Sequence, residues 1–400
     1  MHQSLDLVWK LHIVYVIIKG NTVEAMKMFD DKALNVEEHE FYLLNRDTKI
    51  AKFKVKIIGT LEKIEILEVY CSLPEWLNDL SSYIKSRRAP KKREHMEQLL
   101  KQSGCDTIYG YLSITHALSL IDTFWVKSII SDLTWDKVSL YTHKFNEVVA
   151  KTAFEGGLHG HNLSTTSPEY GTNGTFAKCW IREDGHIKLL KKGSTGVRNA
   201  GLEPYSEFYI SQIAEALDLK SVIYDLRSQN DRICSVCDIF TSEKFGYLPF
   251  SAISSGNTSV LDVVEIMSEY GLEQQIRDMF VFDAVVFNED RHKGNFGFIV
   301  DNETQEIVDM APLFDHNIAL LCYAEQEDFN DLEHYLEHKR PRLGEDFVKE
   351  ASILLTPTMH KKLIDLKGFE FKKHPKYNLP DWQLEALNKV VNRQIELILN

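Results

Sequence analysis

The feature that most constrains the fold is an apolar run that ends in a dense polar cluster. Phe280 to Phe287 is apolar at every position except Asp283, and Asn288, Glu289, Asp290, Arg291, His292 and Asn295 follow directly. A run of this kind packs inside a domain. The carboxylate, imidazole and amide at its end therefore stand on a rigid base. Phe296–Val300 is apolar and β-prone and reads as a strand, Asp301-Asn302 as a turn and Ile307-Val308 as the return. Pro312-Leu313-Phe314 then delivers Asp315.

Phosphoryl transfer needs parts in this order. One Asp accepts or orients the attacking hydroxyl; an Asn a few residues on and a second Asp beyond a hairpin hold Mg²⁺ against the phosphates. Asp290 and Asn295 have the Asp-x-x-x-x-Asn spacing of a kinase catalytic loop, and Asp315 falls where the second metal-holding carboxylate belongs. Either Asp alone is more simply a turn cap or a loop residue; the ordered set points to the chemistry. Asn-Glu-Asp-Arg-His-Lys-Gly-Asn-Phe followed by Ala-Pro-Leu-Phe-Asp resembles the HipA family of bacterial toxin-type serine/threonine protein kinases. Unlike ordinary protein kinases, the His follows the Asp here, and Asp315 precedes His316-Asn317 where Phe-Gly would stand. The Asp-x-His-x-x-Asn order is shared with lipid kinases.

A chain of 400 residues suffices for two to three domains. The formal net charge of −13 argues against general nucleic-acid binding, except through a partner, and against an anionic membrane surface. No apolar run approaches the ~20 residues that span a bilayer. Leu11–Ile18 is short and reads as a strand rather than a signal peptide. Six unevenly placed cysteines suit a reducing cytoplasm. The expected fold class is α+β: a two-lobed, protein-kinase-like (HipA-like) fold with a β-rich N-lobe (156–245) and a helical C-lobe (246–400). A smaller α+β accessory domain (1–155) precedes it. In that domain 41–44, 50–55 and 64–69 read as strands and 79–86 and 94–102 as helices. Lys85 to Arg93 gathers six positive charges, read as a solvated face, with a docking patch for an acidic partner or nucleic acid as the sharper alternative. The order Arg87…Arg93, Ser119-Leu-Ile-Asp122-Thr-Phe-Trp125, Leu140-Tyr141 resembles the front domain of a subset of HipA-like proteins.

Gly171-Thr172-Asn173-Gly174 precedes a strand over 176–182, and small residues there let backbone N–H groups approach phosphates. A flexible surface loop is the plain alternative. Lys178-Cys179-Trp180 fits a Lys-x-Trp landmark of the HipA-like pattern. A kinase also needs a strand lysine for the α/β-phosphates. Strand residues alternate faces, so Lys191 shares the apolar side with Ile187 and Leu189, and Lys192 the wet side with Lys188; Lys191 is favoured. Pro204-Tyr205-Ser206-Glu207 opens a helix through Leu217 with Ser206 as N-cap. The resemblance implies that Glu207 supports the nucleotide lysine and that backbone at Asp238 and Phe240 holds adenine. Cys234-x-x-Cys237 reads as core strand, since zinc needs a second pair. Helices are expected over 260–270, 272–287, 328–337, 344–355 and 382–399.

The resemblance implies an ATP- and Mg²⁺-dependent serine/threonine protein kinase. In it Asp290 faces the substrate hydroxyl, His292 props the loop, Asn295 and Asp315 hold the metal, and Lys191 contacts ATP. It also implies a protein substrate, an antitoxin or regulatory partner, and autophosphorylation at Ser167, Thr172 or Thr175. The alternatives are a small-molecule or lipid kinase and a nucleotide-binding regulator without turnover.

Overall fold

The computed structural model describes residues 36–72, 74, 77, 79–157, 163–196 and 199–400. The strand expected over 11–18 lies outside the described residues. In the front part, β1 (Val36–Asn45), β2 (Thr48–Ile58) and β3 (Leu61–Val69) form an antiparallel meander, followed by helices α1 (Leu80–Arg87), α2 (Met96–Ser103) and α3 (Ile108–Thr115). Then β4 (Phe124–Ser128) pairs with β1, giving the order β3-β2-β1-β4. Phe41, Leu43, Ala51, Phe53 and Val55 point to one face and bury it against Leu80, Ile84, Leu99 and Leu112 of the helices. This is the period-2 alternation of a half-buried sheet.

The basic stretch 85–93 is a solvated face only in part: Lys85, Lys91 and Lys92 are exposed, but two of its arginines turn inward. Arg87 is buried and its guanidinium grips Asp122 (2.5 and 2.9 Å), while buried Arg93 donates to the carbonyls of Thr172 (2.9 Å) and Glu169 (2.7 Å). Their flat forks satisfy backbone and carboxylate acceptors inside the domain. Of the sequence landmarks, Arg87 and Asp122 thus bind one another.

The short helix α4 (Trp135–Val138) leads to α5 (Glu147–Glu155), which joins two bodies. Its Val149 and Ala153 enter the front core, whereas Ala150 and Phe154 cover Cys179, Leu190, Cys234 and Val236 of the next sheet. Beyond it, Leu163 and Tyr170 return to the front core. Packing therefore crosses the boundary expected at 155.

That next sheet is antiparallel, in the order β5-β6-β8-β7. It comprises β5 (Lys178–Glu183), β6 (His186–Lys192), then α6 (Glu203–Ala216), β7 (Tyr224–Gln229) and β8 (Arg232–Asp238). Both hairpins turn on two residues with positive φ, Asp184-Gly185 and Asn230-Asp231, the tight turn whose twist matches the strands. Helix α6 starts at Glu203, with Pro204 in its first turn, rather than at Ser206. Proline is preset for that position, and Ser206 Oγ instead donates to the Ala319 carbonyl at 2.9 Å. Cys234 and Cys237 are buried within β8.

The C-terminal part is helical around a small sheet. It runs β9 (Phe245–Pro249), α7 (Val260–Glu269), α8 (Glu273–Val286), β10 (Gly297–Asp301), β11 (Ile307–Met310), α9 (Gln326–Asn330), α10 (Leu332–Leu336), α11 (Phe347–Leu354), α12 (Pro357–Asp365) and α13 (Asp381–Leu399). Asp331, outside the helical region (ψ 62°), splits the helix expected over 328–337 into two. Helix α8 is the axis of the largest core, with Met279 to Val286 buried among residues of α7, α11 and α13. The lobes meet where Val222 N–H donates to the Leu313 carbonyl and Leu313 N–H to the Lys220 carbonyl, both at 2.9 Å. The result is two lobes, β-rich and helical, preceded by an α+β front part. Among the described residues no helix is long and apolar enough to cross a membrane.

Candidate active site

The one charge in the apolar run explains how the polar cluster is held. Helix α8 ends at Phe287, which adopts the left-handed conformation (φ 50°), and the chain turns back on Asp283. Asp283 accepts from Arg291 Nε (2.8 Å), Arg291 Nη2 (3.0 Å) and Asn288 Nδ2 (2.9 Å). Buried Arg291 also donates through Nη1 to the carbonyls of Asn295 and Phe314, each 2.8 Å away, and its Nη2 lies 3.2 Å from His316 Nδ1. A buried guanidinium is tolerable only when fully paired. Here the pairing ties helix α8, the loop 288–295 and the segment carrying Asp315 to one node.

Within the loop, His292 N–H donates to the Asp290 carbonyl (2.7 Å) and Asn295 N–H to the His292 carbonyl (2.8 Å). Asn295 Nδ2 donates to the Asp290 carbonyl at 3.2 Å, and Gly294 N–H to His292 Nδ1 at 3.0 Å. His292 accordingly props the loop through its ring. The Asp290 carboxyl is half-buried and 3.3 Å from Arg342 Nη1. Burial raises its pKa, His292 opposes the rise and Asp315 adds to it.

From the β-rich side comes Lys191, whose Nζ is 2.6 Å from Asp315 Oδ1 and also pairs with buried Glu207. Ser235 donates to the other Glu207 oxygen. Burial pulls the Lys191 pKa down, but Asp315 and Glu207 outweigh it and leave it raised. For Asp315 burial is overcome by the Lys191 and Lys178 ammoniums, so its carboxyl lies below the ordinary range. Glu207, buried and sharing the Lys191 ammonium with Asp315, is pushed up. Asp315 has φ 59°, a costly conformation for a non-glycine residue, and its N–H donates to the Tyr224 hydroxyl at 3.1 Å. Lys192 sits elsewhere, donating to the Phe154 carbonyl at 2.8 Å.

Of the glycine-loop residues, Asn173 and Gly174 approach this group and Gly171 and Thr172 do not. The Asn173 carbonyl accepts from Lys178 Nζ at 2.8 Å. A Cβ on Gly174 (φ +97°) would lie 2.2 Å from the same Nζ, so the loop closes over that ammonium. Gly171 ends a short 3₁₀ turn against the front part, where a Cβ would meet the Leu118 carbonyl at 2.6 Å. The Thr172 hydroxyl is held by Trp180 Nε1 (2.8 Å) and the Pro168 carbonyl (2.7 Å). Asp238 is exposed at the end of β8, its carboxylate paired with Lys188 at 2.7 Å. Phe240 packs on Phe314 and Tyr247, with ring centroids 5.3 and 5.6 Å apart. With Leu189, Val222, Tyr224 and Cys237 it makes an apolar wall on the β-lobe side of Asp315.

Residues 179–372 match the family model described as HipA-like kinase. This stretch is a HipA-like kinase domain. Among curated proteins, the serine/threonine-protein kinase CtkA of Helicobacter pylori is 28% identical over 136 residues, 30% of this chain and 42% of that protein. The chain thus spans less than half the length of that relative. Among solved structures, the H. pylori proinflammatory kinase CtkA aligns with TM-score 0.44 at 18% identity, covering 56% of this chain and 92% of that one. A Shewanella oneidensis toxin–antitoxin complex of HipA, HipB and operator DNA aligns with TM-score 0.47 at 9% identity, covering 89% of this chain and 96% of that one.

Two residues of the HipA-like domain and its approach had no assigned role in the sequence. Arg291 is the node described above. Lys178 pairs in register with Lys191 across β5 and β6, and burial together with the Lys191 charge pushes its pKa down to about 7. The Lys-x-Trp landmark marked its position, but only the strand register brings it to Lys191.

Proposed function

We propose that the chain is an ATP-dependent serine/threonine protein kinase, transferring the γ-phosphate to a protein hydroxyl. The observation that carries the reading is the convergence on Asp315 of Lys191 from the β-rich lobe and of the Arg291-tied loop from the helical lobe. Asp290, held by the loop and raised in pKa, is suited to accept or orient the attacking hydroxyl. Asn295 commits its nitrogen to the Asp290 carbonyl, which leaves its amide oxygen, with the Asp315 carboxylate, as the hard oxygen donors that Mg²⁺ takes. Bound Mg²⁺ supplies charge neutralisation for the phosphates. Lys191 and Lys178 are the ammoniums for phosphate oxygens, Glu207 positions Lys191, and the wall at Phe240 suits an adenine ring beside the Asp238–Phe240 backbone. A hydroxyl approaching Asp290 Oδ1 would compete with the exposed Arg342 guanidinium, 3.3 Å from that oxygen.

For autophosphorylation the three candidate hydroxyls differ. Ser167 is buried and bonded to Glu169, and Thr172 is held on both sides, whereas Thr175 is exposed. Thr175 is therefore the favoured acceptor.

Transfer of ³²P from labelled ATP tests the reading. The wild type should label protein. Asp290→Ala should lose transfer and keep nucleotide binding, and Asp315→Ala should weaken Mg·ATP binding as well. Label on a small molecule, or nucleotide binding with no transfer by the wild type, would overturn it.

A further inference from the structure

Away from the cleft, one group of side chains among the described residues has its ligand atoms gathered. One ligand atom each from His334, Glu337 and His338 lies within 4.8 Å of the others, and all three residues are exposed. We propose that they form a surface site for a divalent transition metal of the Zn²⁺ type. The assignment does not depend on the kinase reading.

The spacing is i, i+3, i+4, which puts three side chains on one helical face. Helix α10 ends at Leu336, but the turn persists. Glu337 N–H donates to the Glu333 carbonyl at 3.1 Å, and Lys339 N–H to the Leu336 carbonyl at 3.0 Å. His334 Nδ1 lies 3.5 Å from Glu337 Oε2, and the two imidazole rings are 5.7 Å apart. An ordinary surface His–Glu attraction accounts for the first of these contacts. It does not account for a second imidazole brought within ligand range of both.

The donor set fixes the class of ion. Two imidazoles and one carboxylate favour Zn²⁺, Ni²⁺ or Cu²⁺, while Mg²⁺ and Ca²⁺ prefer oxygen donors alone. Three protein ligands with the rest of the sphere open to water is also the pattern of non-structural zinc sites. The two sites on this chain thus differ in chemistry: oxygen donors at Asn295 and Asp315, nitrogen-rich donors here.

The location gives the site a consequence. A five-residue helix is marginal by itself, and an ion bridging its last turn would staple it. The next residue, Lys339, holds Glu289 at 2.8 Å, and Arg342 reaches Asp290 at 3.3 Å. The stapled turn therefore runs directly into the segment 339–342, two of whose side chains contact the polar loop.

Calorimetric titration of the full-length protein with Zn²⁺, in excess Mg²⁺, tests the site. The wild type should bind one Zn²⁺ more per chain than His334→Ala/His338→Ala, and Co²⁺ should give the wild type alone a d–d absorption band from this site. Equal Zn²⁺ uptake and equal Co²⁺ spectra in the two proteins would overturn the proposal. All three side chains are exposed, so the double variant should melt like the wild type without metal. If it melts early, the single change Glu337→Gln takes its place, with weakened Zn²⁺ uptake expected and unchanged uptake overturning the site.

Discussion

Lys178 is a buried ammonium beside a second ammonium, with the Asn173 carbonyl as its hydrogen-bond acceptor. Its pKa of about 7 lies below the ordinary lysine value, so between about pH 7 and 10 the unfolded chain binds more protons and stability rises with pH through this group. Binding of a polyphosphate beside it reverses the preference. Nucleotide binding should therefore take up a proton at pH 8 and little at pH 6, read as the dependence of calorimetric heat on buffer ionisation. Lys178→Met should abolish the pH-dependent part. Arg291 makes a different prediction. Arg291→Ala leaves the buried Asp283 charge unpaired and should cost about 3–5 kcal/mol in urea unfolding, far more than a surface arginine. Asp283 and Arg291 were both visible in the sequence as polar residues in or after an apolar run. Their partnership was not, because it depends on a reversal at Phe287 and on the arrival of Phe314 from beyond a hairpin. Strand alternation puts Lys191 and Lys192 on opposite faces, but neither face is wet: Lys191 meets carboxylates, whereas Lys192, expected on the solvent side, is buried under α5 and donates to the Phe154 carbonyl.

At the level of elements, local chemistry decided most boundaries. The Ser259–Asp262 capping box starts α7, and Ser259→Ala should cost about 1 kcal/mol in a thermal or urea melt without changing the folded spectrum. Turn residues announced the two hairpins of the β-rich lobe. Helix α12 has a legible start, with Thr356 as its cap and Pro357 in its first turn; α6 shares only the first-turn proline, which by itself points to a start ahead of Ser206. The break at Asp331 was not legible, since 328–337 carries no Gly or Pro and the interruption comes from backbone geometry in context. The basic run 85–93 divides between surface and interior for a similar reason. Charge counting sees six cations, but Arg87 and Arg93 face inward because acceptors from 119–124 and 168–172 reach them.

At the scale of the molecule, the front part is bound to the kinase lobes by polar contacts as well as by α5. Glu243 accepts from Trp135 Nε1 (2.9 Å) and Ser139 Oγ (2.7 Å), and its carbonyl from Arg46 Nη2 (2.6 Å). Glu243→Ala strands two donors and should cost about 1–3 kcal/mol, with faster amide exchange over 135–139 as the specific readout. The interleaving around 147–171 has a practical corollary for anyone who divides the chain. A fragment starting at 156 lacks the helix that shields Leu190 and Val236, and one stopping at 155 lacks the Tyr170 ring that fills the other interior. No single scissor point yields two healthy halves, so the described body should melt in one calorimetric step.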